Sequence, residues 1–296
     1  MPITEQLTQS LRKYLASPLF RKFAIDWISG LGLLVYFFLV AEKARPFQRQ
    51  FKLNDYTIQH PFAYHERVTG VECILLALLI PLGVITGVIF TRLLKQKNLN
   101  NPDQVNKSLH LLQISVLGLL LSLSINGVFT DILKNWIARP RPDFLQRCGA
   151  PSDTDPDIFV DASICTAPLG EAILLDGMRS TPSGHSSISF SGLLYLSLWL
   201  LGQFKLFHPI DLKNHSIYRY LLAFLPILLC FYVALSRVQD YRHHFSDIIL
   251  GSIIGIFFAN LIYHKYFNSI WNDNCDKPAS HEDDESLLPI YNDVSA

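Results

Sequence analysis

Apolar residues are grouped along the chain in six long blocks that contain no Asp, Glu, Lys or Arg. A helix needs about 20 apolar residues to cross the roughly 30 Å hydrocarbon core of a bilayer, and the blocks reach or approach that length. The blocks cover residues 27–40, 73–91, 109–130, 186–203, 220–236 and 248–263. Six such blocks in one chain are not typical of a soluble core. The pattern predicts an all-α, polytopic membrane protein with six transmembrane helices.

The same pattern divides the chain into three parts. A polar N-terminal segment, residues 1–22, precedes a six-helix membrane domain at residues 23–265, and an acidic tail at 266–296 is expected to be disordered. Because six spans return the chain to its starting side, both termini face one side of the membrane. The connections 42–70, 131–185 and 237–247 then share the opposite side.

Charge and short tail motifs indicate which side is cytosolic. Lys and Arg number 13 on the terminal side and 12 on the other, and three of those 12 belong to the candidate anion site described below. Without them, the positive-inside rule favours cytosolic termini. The tail has the form of an acidic dileucine signal at 283–288 and a tyrosine-based signal at 291–294, which cytosolic sorting adaptors would read. We therefore expect a lumenal site in the Golgi, the vacuole or another endomembrane.

Composition excludes some functions and adds one structural expectation. The 25 basic and 25 acidic residues cancel, which argues against a nucleic-acid partner. Cys148 and Cys165 are the two cysteines of the 131–185 connection. On a lumenal side a disulfide between them is permitted, and we expect one. Closing that 18-residue loop would stabilise the connection by about 3 kcal/mol in the chain-entropy picture.

Chemically active residues gather at span ends that face the non-terminal side. One cluster follows the third block, another precedes the fourth, and the last lies between the fifth and sixth. They contain Lys134, Arg139 and Arg141; Ser183, Gly184 and His185; and Arg237, His243, His244 and Asp247. The predicted topology alone therefore brings cations, histidines and a carboxylate to one membrane surface.

Each cluster suits part of a phosphate site. Lys134 and Arg141 are seven residues apart, about two helical turns, and Arg and Lys are common phosphate ligands. Ser183 and Gly184 sit where a helix begins, so unpaired backbone N–H groups and the helix dipole favour an anion there. His185, just inside that helix, could protonate a leaving oxygen. Taken alone, the first cluster would favour the alternative that these side chains snorkel to the headgroups.

The third cluster indicates a nucleophile. His243 and Asp247 are spaced i, i+4 and would share one helical face, so the carboxylate could hold one ring nitrogen and free the other to attack phosphorus. The i, i+3 spacing of His244 to Asp247 permits the same pairing. Spacing alone favours His243 only slightly and leaves His244 as an alternative.

Together the clusters resemble the three signatures of the lipid phosphate phosphatase superfamily, also called type 2 phosphatidic acid phosphatases. These signatures are Lys-x6-Arg-Pro, Pro-Ser-Gly-His and Ser-Arg-x5-His-x3-Asp, and all three occur in order at the predicted span ends. The resemblance covers roughly residues 23–265. Runs such as Arg-Pro-Phe-Gln-Arg-Gln-Phe from Arg45 look most like the fungal diacylglycerol pyrophosphate phosphatases and their lipid phosphate phosphatase relatives.

The resemblance implies a six-helix core related to the haloperoxidases and a Mg²⁺-independent site near the bilayer surface, with no cofactor. It implies a nucleophilic His243 that forms a phosphohistidine, with Asp247 orienting it, and so decides between His243 and His244. His185 would be the general acid and then the base. The implied phosphate-binding set is Lys134, Arg141, Ser183, Gly184 and Arg237. Arg139 is a near-duplicate of Arg141 without the correct spacing from Lys134.

The implied substrates are phosphatidate, lysophosphatidate and diacylglycerol pyrophosphate in the membrane. Sphingoid-base phosphates and polyprenyl diphosphates remain alternatives, because the same signatures serve them. A lipid-binding scaffold or a transporter is the non-enzyme alternative, and a homo-oligomer is a further expectation left open. A Mg²⁺-dependent phosphatase motif at Asp153-Thr-Asp155 is disfavoured, because no apolar strand precedes it.

Overall fold

The computed structural model describes residues 3–95, 101–208 and 215–279, and within these ranges the fold is helical apart from two isolated β-bridges. The helices are α1 (Ile3–Leu15), α2 (Pro18–Lys22), α3 (Ala24–Tyr36), α4 (Gly70–Lys95), α5 (Pro102–Ile137), α6 (Phe144–Cys148), α7 (Glu171–Gly177), α8 (Gly184–Ser189), α9 (Tyr195–Gln203), α10 (Ile217–Gln239) and α11 (Phe245–Tyr266). A π-helical turn, Phe37–Ala41, extends α3, and another, Phe190–Leu194, joins α8 to α9. The predicted all-α class is confirmed.

Five of these helical segments are long and apolar enough to cross a bilayer: Ala24–Ala41, Gly70–Leu94, Pro102–Ile137, Ile217–Gln239 and Phe245–Tyr266. The predicted fourth span comprises α8, the π turn and α9, so a π turn interrupts its α-helix, and it is not among these five segments. The prediction of six spans is therefore approximate. The 36 residues of α5 extend about 54 Å, so this helix exceeds the hydrocarbon thickness.

The interrupted helix lies at the centre of the bundle, and small residues let its neighbours approach it closely. A Cβ added at Gly251 or Gly255 of α11 would lie 2.4 Å from the carbonyl oxygen of Ser183 or Ser187. Side-chain hydrogen bonds join the same helix to α5, with Ser122 Oγ 2.8 Å from Ser191 Oγ. Close packing of small residues and interhelical hydrogen bonds are the usual means of helix association in membranes.

The connections 42–70 and 131–185 pack on each other and form a small second core. Phe51 pairs with Val160 through a β-bridge and stacks edge-to-face on Phe144. Cys148 and Cys165 are bonded in the structure, with their Cα atoms 4.6 Å apart. This second core forms a cap over one end of the bundle.

Both terminal parts contain structure that the sequence analysis did not specify. Part of the predicted polar segment 1–22 is helical, and the buried Tyr14 hydroxyl of α1 hydrogen-bonds to Gln113 of α5. The predicted disordered tail begins too early at 266, because Phe267 and Cys275 are buried and the Cys275 Sγ donates to the Gly202 carbonyl. The two sorting motifs at 283–288 and 291–294 lie outside the described residues.

Candidate active site

The three sequence clusters meet beneath the cap at a cavity of about 400 Å³. Five of the eight residues expected in the site line it: Lys134, Arg141, Gly184, His185 and His243. The end of α5, the start of α8 and the turn before α11 bring them together. Ser183, Arg237 and Asp247 lie behind this lining layer, fully buried or nearly so.

The ring of His243 is held in one tautomer by a backbone carbonyl. Its Nδ1 lies 2.7 Å from the Ser180 oxygen, and the residue is 2% exposed. Because a carbonyl can only accept a hydrogen bond, Nδ1 carries the proton and Nε2 carries a free lone pair. Burial lowers the pKa of His243 well below its ordinary value, and the charges of Arg141 and Lys134 lower it further. The imidazole is therefore neutral at physiological pH.

Asp247 does not make the contact that the sequence assigned to it. Its Oδ2 lies 3.9 Å from His243 Nδ1, beyond hydrogen-bonding distance. The i, i+4 argument fails because α11 begins only at Phe245, so His243 precedes the helix. His244 is the N-cap and pairs with Asp247 in a capping box.

The Asp247 carboxylate instead ties together the segments around His243. It accepts hydrogen bonds from the His244 backbone N–H at 2.9 Å, from the Ser180 hydroxyl at 2.6 Å and from the Thr181 hydroxyl. Arg139 Nη1 donates at 2.9 Å to Oδ1, the same oxygen that accepts from Thr181. Since the Ser180 carbonyl holds His243, Asp247 positions that ring through Ser180 and not by direct contact.

His185 lies in the first turn of α8 with one ring nitrogen bound to the cap. Its Nε2 is 3.1 Å from the Val68 carbonyl, so Nε2 carries a proton and donates it there. Nδ1 is not part of that bond. The ring lines the same cavity as His243, as the predicted acid should.

Lys134 and Arg141 supply positive charge at the cavity wall. A Cβ at Gly184 would lie 3.0 Å from Lys134 Nζ, so this glycine makes room for the lysine. Arg141 donates from Nε to the Asp176 carbonyl and from Nη2 to its carboxylate, at 2.9 and 2.7 Å. Burial lowers the pKa of Arg141 to about 10, which still leaves the guanidinium charged at neutral pH.

Arg139 and Arg141 have separate roles although their sequence contexts are almost the same. Arg139 donates to Asp247 and, at 2.7 Å, to the Ser246 hydroxyl, and it does not line the cavity. Arg141 does line it. The spacing argument that favoured Arg141 agrees with this placement.

Two of the other expected residues do not present donors to the cavity. Arg237 is fully buried and donates to Glu66 and Asp240, each at 2.6 Å. The Ser183 backbone N–H donates to the Asp247 carbonyl at 3.0 Å, and its hydroxyl caps the N–H of Ser186. Both residues therefore support the cavity wall from behind.

Sequence reasoning missed five charged residues that line the cavity: Glu42, Glu66, Asp131, Asp176 and Arg242. Arg242 Nη2 lies 2.9 Å from Glu66 and 3.4 Å from Asp176. Although burial acts to raise it, Arg141, Arg147 and Arg242 hold the pKa of Asp176 well below its usual range. Arg242 adjoins His243, a signal that could have identified it. Glu66 and Asp176 lie in connections that offer no periodic signal.

The opposite wall of the cavity is apolar and opens between α3 and α4. It is formed by Phe37, Phe38, Val71, Ile74 and Ile188. Val71 and Phe38 are 67% and 45% exposed, on a lateral surface that bilayer lipid would cover. The cavity thus joins a charged pocket to an apolar opening.

Comparison with known proteins agrees with this geometry. The sequence profile of the PAP2 superfamily matches residues 115–271, which include all three clusters. The chain is 41% identical to diacylglycerol pyrophosphate phosphatase 1 of Saccharomyces cerevisiae over 82% of its own length and 79% of the relative's. It is 36% identical to the probable diacylglycerol pyrophosphate phosphatase 1 of Schizosaccharomyces pombe, over 85% of its own length and 84% of the relative's.

A plant relative, lipid phosphate phosphatase 2 of Arabidopsis thaliana, is 33% identical over 82% of this chain and 76% of its own. No solved structure matches the chain. The family profile covers more than half of this chain, and the alignments cover most of the length of each of these relatives. This chain therefore belongs to the PAP2 superfamily.

Proposed function

We propose that this protein is an integral-membrane lipid phosphate phosphatase that hydrolyses terminal phosphate groups through a phosphohistidine on His243. The observation that carries the proposal is the cavity itself. It holds a neutral histidine with a free Nε2 beside fixed cations, and its other wall is apolar and faces lipid. The relatives named as lipid phosphate and diacylglycerol pyrophosphate phosphatases support the same class of reaction.

In the first step, His243 Nε2 attacks the terminal phosphorus and the bond from phosphorus to the lipid oxygen breaks. Nδ1 keeps its proton, which the Ser180 carbonyl stabilises as the ring becomes positive. His185 takes up a second proton, on Nδ1, from the medium when the anionic phosphate binds; it gives that proton to the departing alkoxide, so the lipid leaves as an alcohol and His185 becomes neutral. With a diphosphate substrate the leaving group is a phosphate and needs that proton less.

In the second step, water attacks the phosphohistidine. His185, now neutral, takes a proton from that water, the phosphorus–nitrogen bond breaks, and inorganic phosphate is released. His243 returns to its starting tautomer. Dividing hydrolysis between two displacements at one phosphorus is the usual logic of covalent catalysis.

Side-chain cations would stabilise the charge that develops on the phosphoryl oxygens. Lys134 and Arg141 are the lining cations expected from the sequence, and we add Arg242. Glu66 and Asp176 hold the two arginines in place before substrate binds. Because fixed donors can supply most of the stabilisation that phosphoryl transfer needs, the reaction is proposed to proceed without Mg²⁺.

The apolar opening between α3 and α4 would admit a lipid from the side, with its acyl chains remaining in the bilayer. Phosphatidate, lysophosphatidate and diacylglycerol pyrophosphate all fit this description. We place the cap and the site on the lumenal side of an endomembrane and the termini in the cytosol, because of the distribution of Lys and Arg.

Phosphate release from purified full-length protein in detergent and excess EDTA tests this proposal. Phosphatidate, lysophosphatidate, diacylglycerol pyrophosphate and a sphingoid-base phosphate form the substrate panel. We expect turnover of the glycerolipids, inhibition by orthovanadate, and loss of turnover in His243→Asn, whose amide retains a donor for Ser180. An absolute requirement for added Mg²⁺, or full activity of His243→Asn, would refute the mechanism.

A further inference from the structure

A second cavity, of about 490 Å³, lies at the end of the bundle opposite the candidate active site. It is enclosed by the end of α4, the segment after α9 and the start of α10. Four basic side chains line it: Arg92, Lys205, His215 and Arg219. Each of the helices involved runs from this end to the cap, so the two cavities are separated by the length of the bundle.

Both arginines in this cavity have only neutral partners among the described residues. Arg92 donates to the Gln203 side chain at 2.6 Å and to the Gln203 carbonyl at 2.8 Å. Arg219 donates to His215 Nδ1 at 3.1 Å and contacts the Tyr218 hydroxyl at 3.4 Å. Neither guanidinium is within ion-pairing distance of a described carboxylate, so neither charge is cancelled by contact.

The other two basic residues add one more charge. His215 accepts from Arg219 through Nδ1 and lies 3.3 Å from the Lys205 carbonyl through Nε2, the pattern of a neutral ring. Lys205 is paired with Asp276 at 3.2 Å. Among the described residues, the lining side chains therefore carry three positive charges and no negative one, and Asp276, which lies outside the lining, offsets the charge of Lys205.

The start of α10 strengthens this positive field. Arg219 is the third residue of the helix, Ser216 makes no side-chain cap, and the first turn contains no acidic residue. Unpaired N–H groups and the helix dipole already favour an anion at such an end, and a cation there is normally unfavourable. An anion between Arg219 and Arg92 would satisfy both the helix end and the guanidinium groups.

Apolar side chains beside these charges indicate what kind of anion fits. Leu222 lines the cavity and is 51% exposed, and Ile217 and Leu221 next to it on α10 are 73% and 65% exposed. These side chains continue the lipid-facing surface of a spanning helix. A ligand here would meet positive charge at its head and hydrocarbon at its tail.

We propose that this second cavity binds the phosphate headgroup of an anionic phospholipid from the leaflet on the side of the termini. Arg92 and Arg219 hold the phosphate, and the acyl chains lie along α10. His215 is the one histidine among the described lining residues, and both of its ring nitrogens are hydrogen-bonded, so it offers no free lone pair for attack and the lipid is retained and not hydrolysed. This site is independent of the proposed phosphatase activity.

Native mass spectrometry of the purified full-length protein tests the site, with phosphatidylglycerol and phosphatidylcholine titrated separately. Phosphatidylglycerol is anionic but offers no terminal phosphate to the catalytic cavity. We expect one tightly bound phosphatidylglycerol, and binding weaker by about tenfold or more in the double variant Arg92→Gln/Arg219→Gln. The matched control is Arg12→Gln/Arg21→Gln, which removes two exposed arginines from α1 and α2, and it should bind like the wild type.

Arg219→Gln alone provides the same test if the double variant does not fold. Its recorded partners are side chains one and four residues away, so its loss breaks no long-range contact. Equal weakening in the control pair would show diffuse surface attraction and overturn the proposal. Displacement of the lipid by millimolar inorganic phosphate or glycerol phosphate would show a site for soluble anions and overturn it as well.

Discussion

The proposed reactivity of His243 depends on the surroundings of its imidazole ring. The Ser180 carbonyl fixes its proton on Nδ1, burial keeps it neutral, and neighbouring cations oppose its protonation. A proton is thus excluded from this ring in the folded protein. The unfolded chain has no such restriction, so the same environment that leaves Nε2 free for the proposed attack also couples the protonation of His243 to stability.

The stability of the protein should fall as the pH is lowered from 7 to 5, in part because of His243. Its pKa is depressed in the folded state, so below about pH 6.5 the unfolded chain binds a proton that the folded chain excludes. His243→Asn should show a smaller decrease in apparent melting temperature across this range. His65→Gln, at an exposed position, is the control and should behave like the wild type.

Asp176 cannot produce that decrease. Its pKa is lowered in the fold, so its stabilising contribution is present above about pH 4 and is lost only as the pH falls further. Equal pH dependence of melting in the wild type and in His243→Asn would contradict the assigned protonation state of the ring.

At the residue scale, the sequence predicted which side chains share one cavity better than it predicted their hydrogen-bond partners. Lys134, Arg141, His185 and His243 line one cavity, as expected from signatures at span ends. The partner of His243 was predicted wrongly, since helical spacing was applied to a residue before the helix. The Ser180 carbonyl could not have been foreseen, because a backbone contact between loops has no residue-type signal.

At the scale of elements, the site depends on close packing between α8 and α11. The Gly251 Cα faces the Ser183 backbone, and a Cβ there would lie 2.4 Å from the carbonyl oxygen. Backbone atoms cannot move aside as a flexible side chain would. The separation of the two helices, and with it the distance from His185 to His243, is limited by this glycine.

Gly251→Ala should lower both stability and activity. Separating α8 from α11 costs about 1–3 kcal/mol by overpacking and displaces residues on both sides of the cavity. Gly83→Ala on α4 is the matched control, since nothing lies within 4 Å of its added Cβ. The control should be neutral or slightly stabilising, by about 0.5–1 kcal/mol. Melting temperature and phosphate release measure the two effects, and unchanged activity in Gly251→Ala would contradict the packing argument.

Element boundaries were predictable where apolar blocks are long and continuous, as in α4, α10 and α11. The fourth block was predicted as one span, whereas the chain forms a π turn at Phe190–Leu194 in its centre. No hydropathy pattern encodes that interruption. The second core of the cap was not predicted either, because its apolar residues are dispersed over two long polar connections.

At the scale of the whole molecule, the cap and the catalytic cavity occupy one end of the bundle and the second basic cavity occupies the other. The side of the membrane that the cap faces is therefore also the side that the candidate active site faces. The natural glycosylation sequon at Asn106 does not report it, because Asn106 is fully buried in α5. The other sequon begins at Asn214, outside the described residues.

Asp161→Asn creates a glycosylation sequon with Ala162 and Ser163 at an exposed position of the cap. Asp161 is the N-cap residue of a short helical turn, and Asn can take that role equally well. We expect this variant, expressed in eukaryotic cells, to gain one glycan that glycosidase removes, since the cap is proposed to be lumenal. The wild type should carry none. A properly folded, active variant that stays unglycosylated would place the cap and the active site in the cytosol.

The most direct test of the whole account is identification of the covalent intermediate during turnover. Full-length protein is mixed with phosphatidate carrying a labelled phosphate and quenched in alkaline detergent, and the labelled peptide is sequenced by mass spectrometry. We predict an acid-labile, base-stable label on His243, present also in His244→Asn, which keeps an N-cap, and absent in His243→Asn. A label on His244 or on a carboxylate or hydroxyl side chain, or turnover without any labelled histidine, would contradict the account.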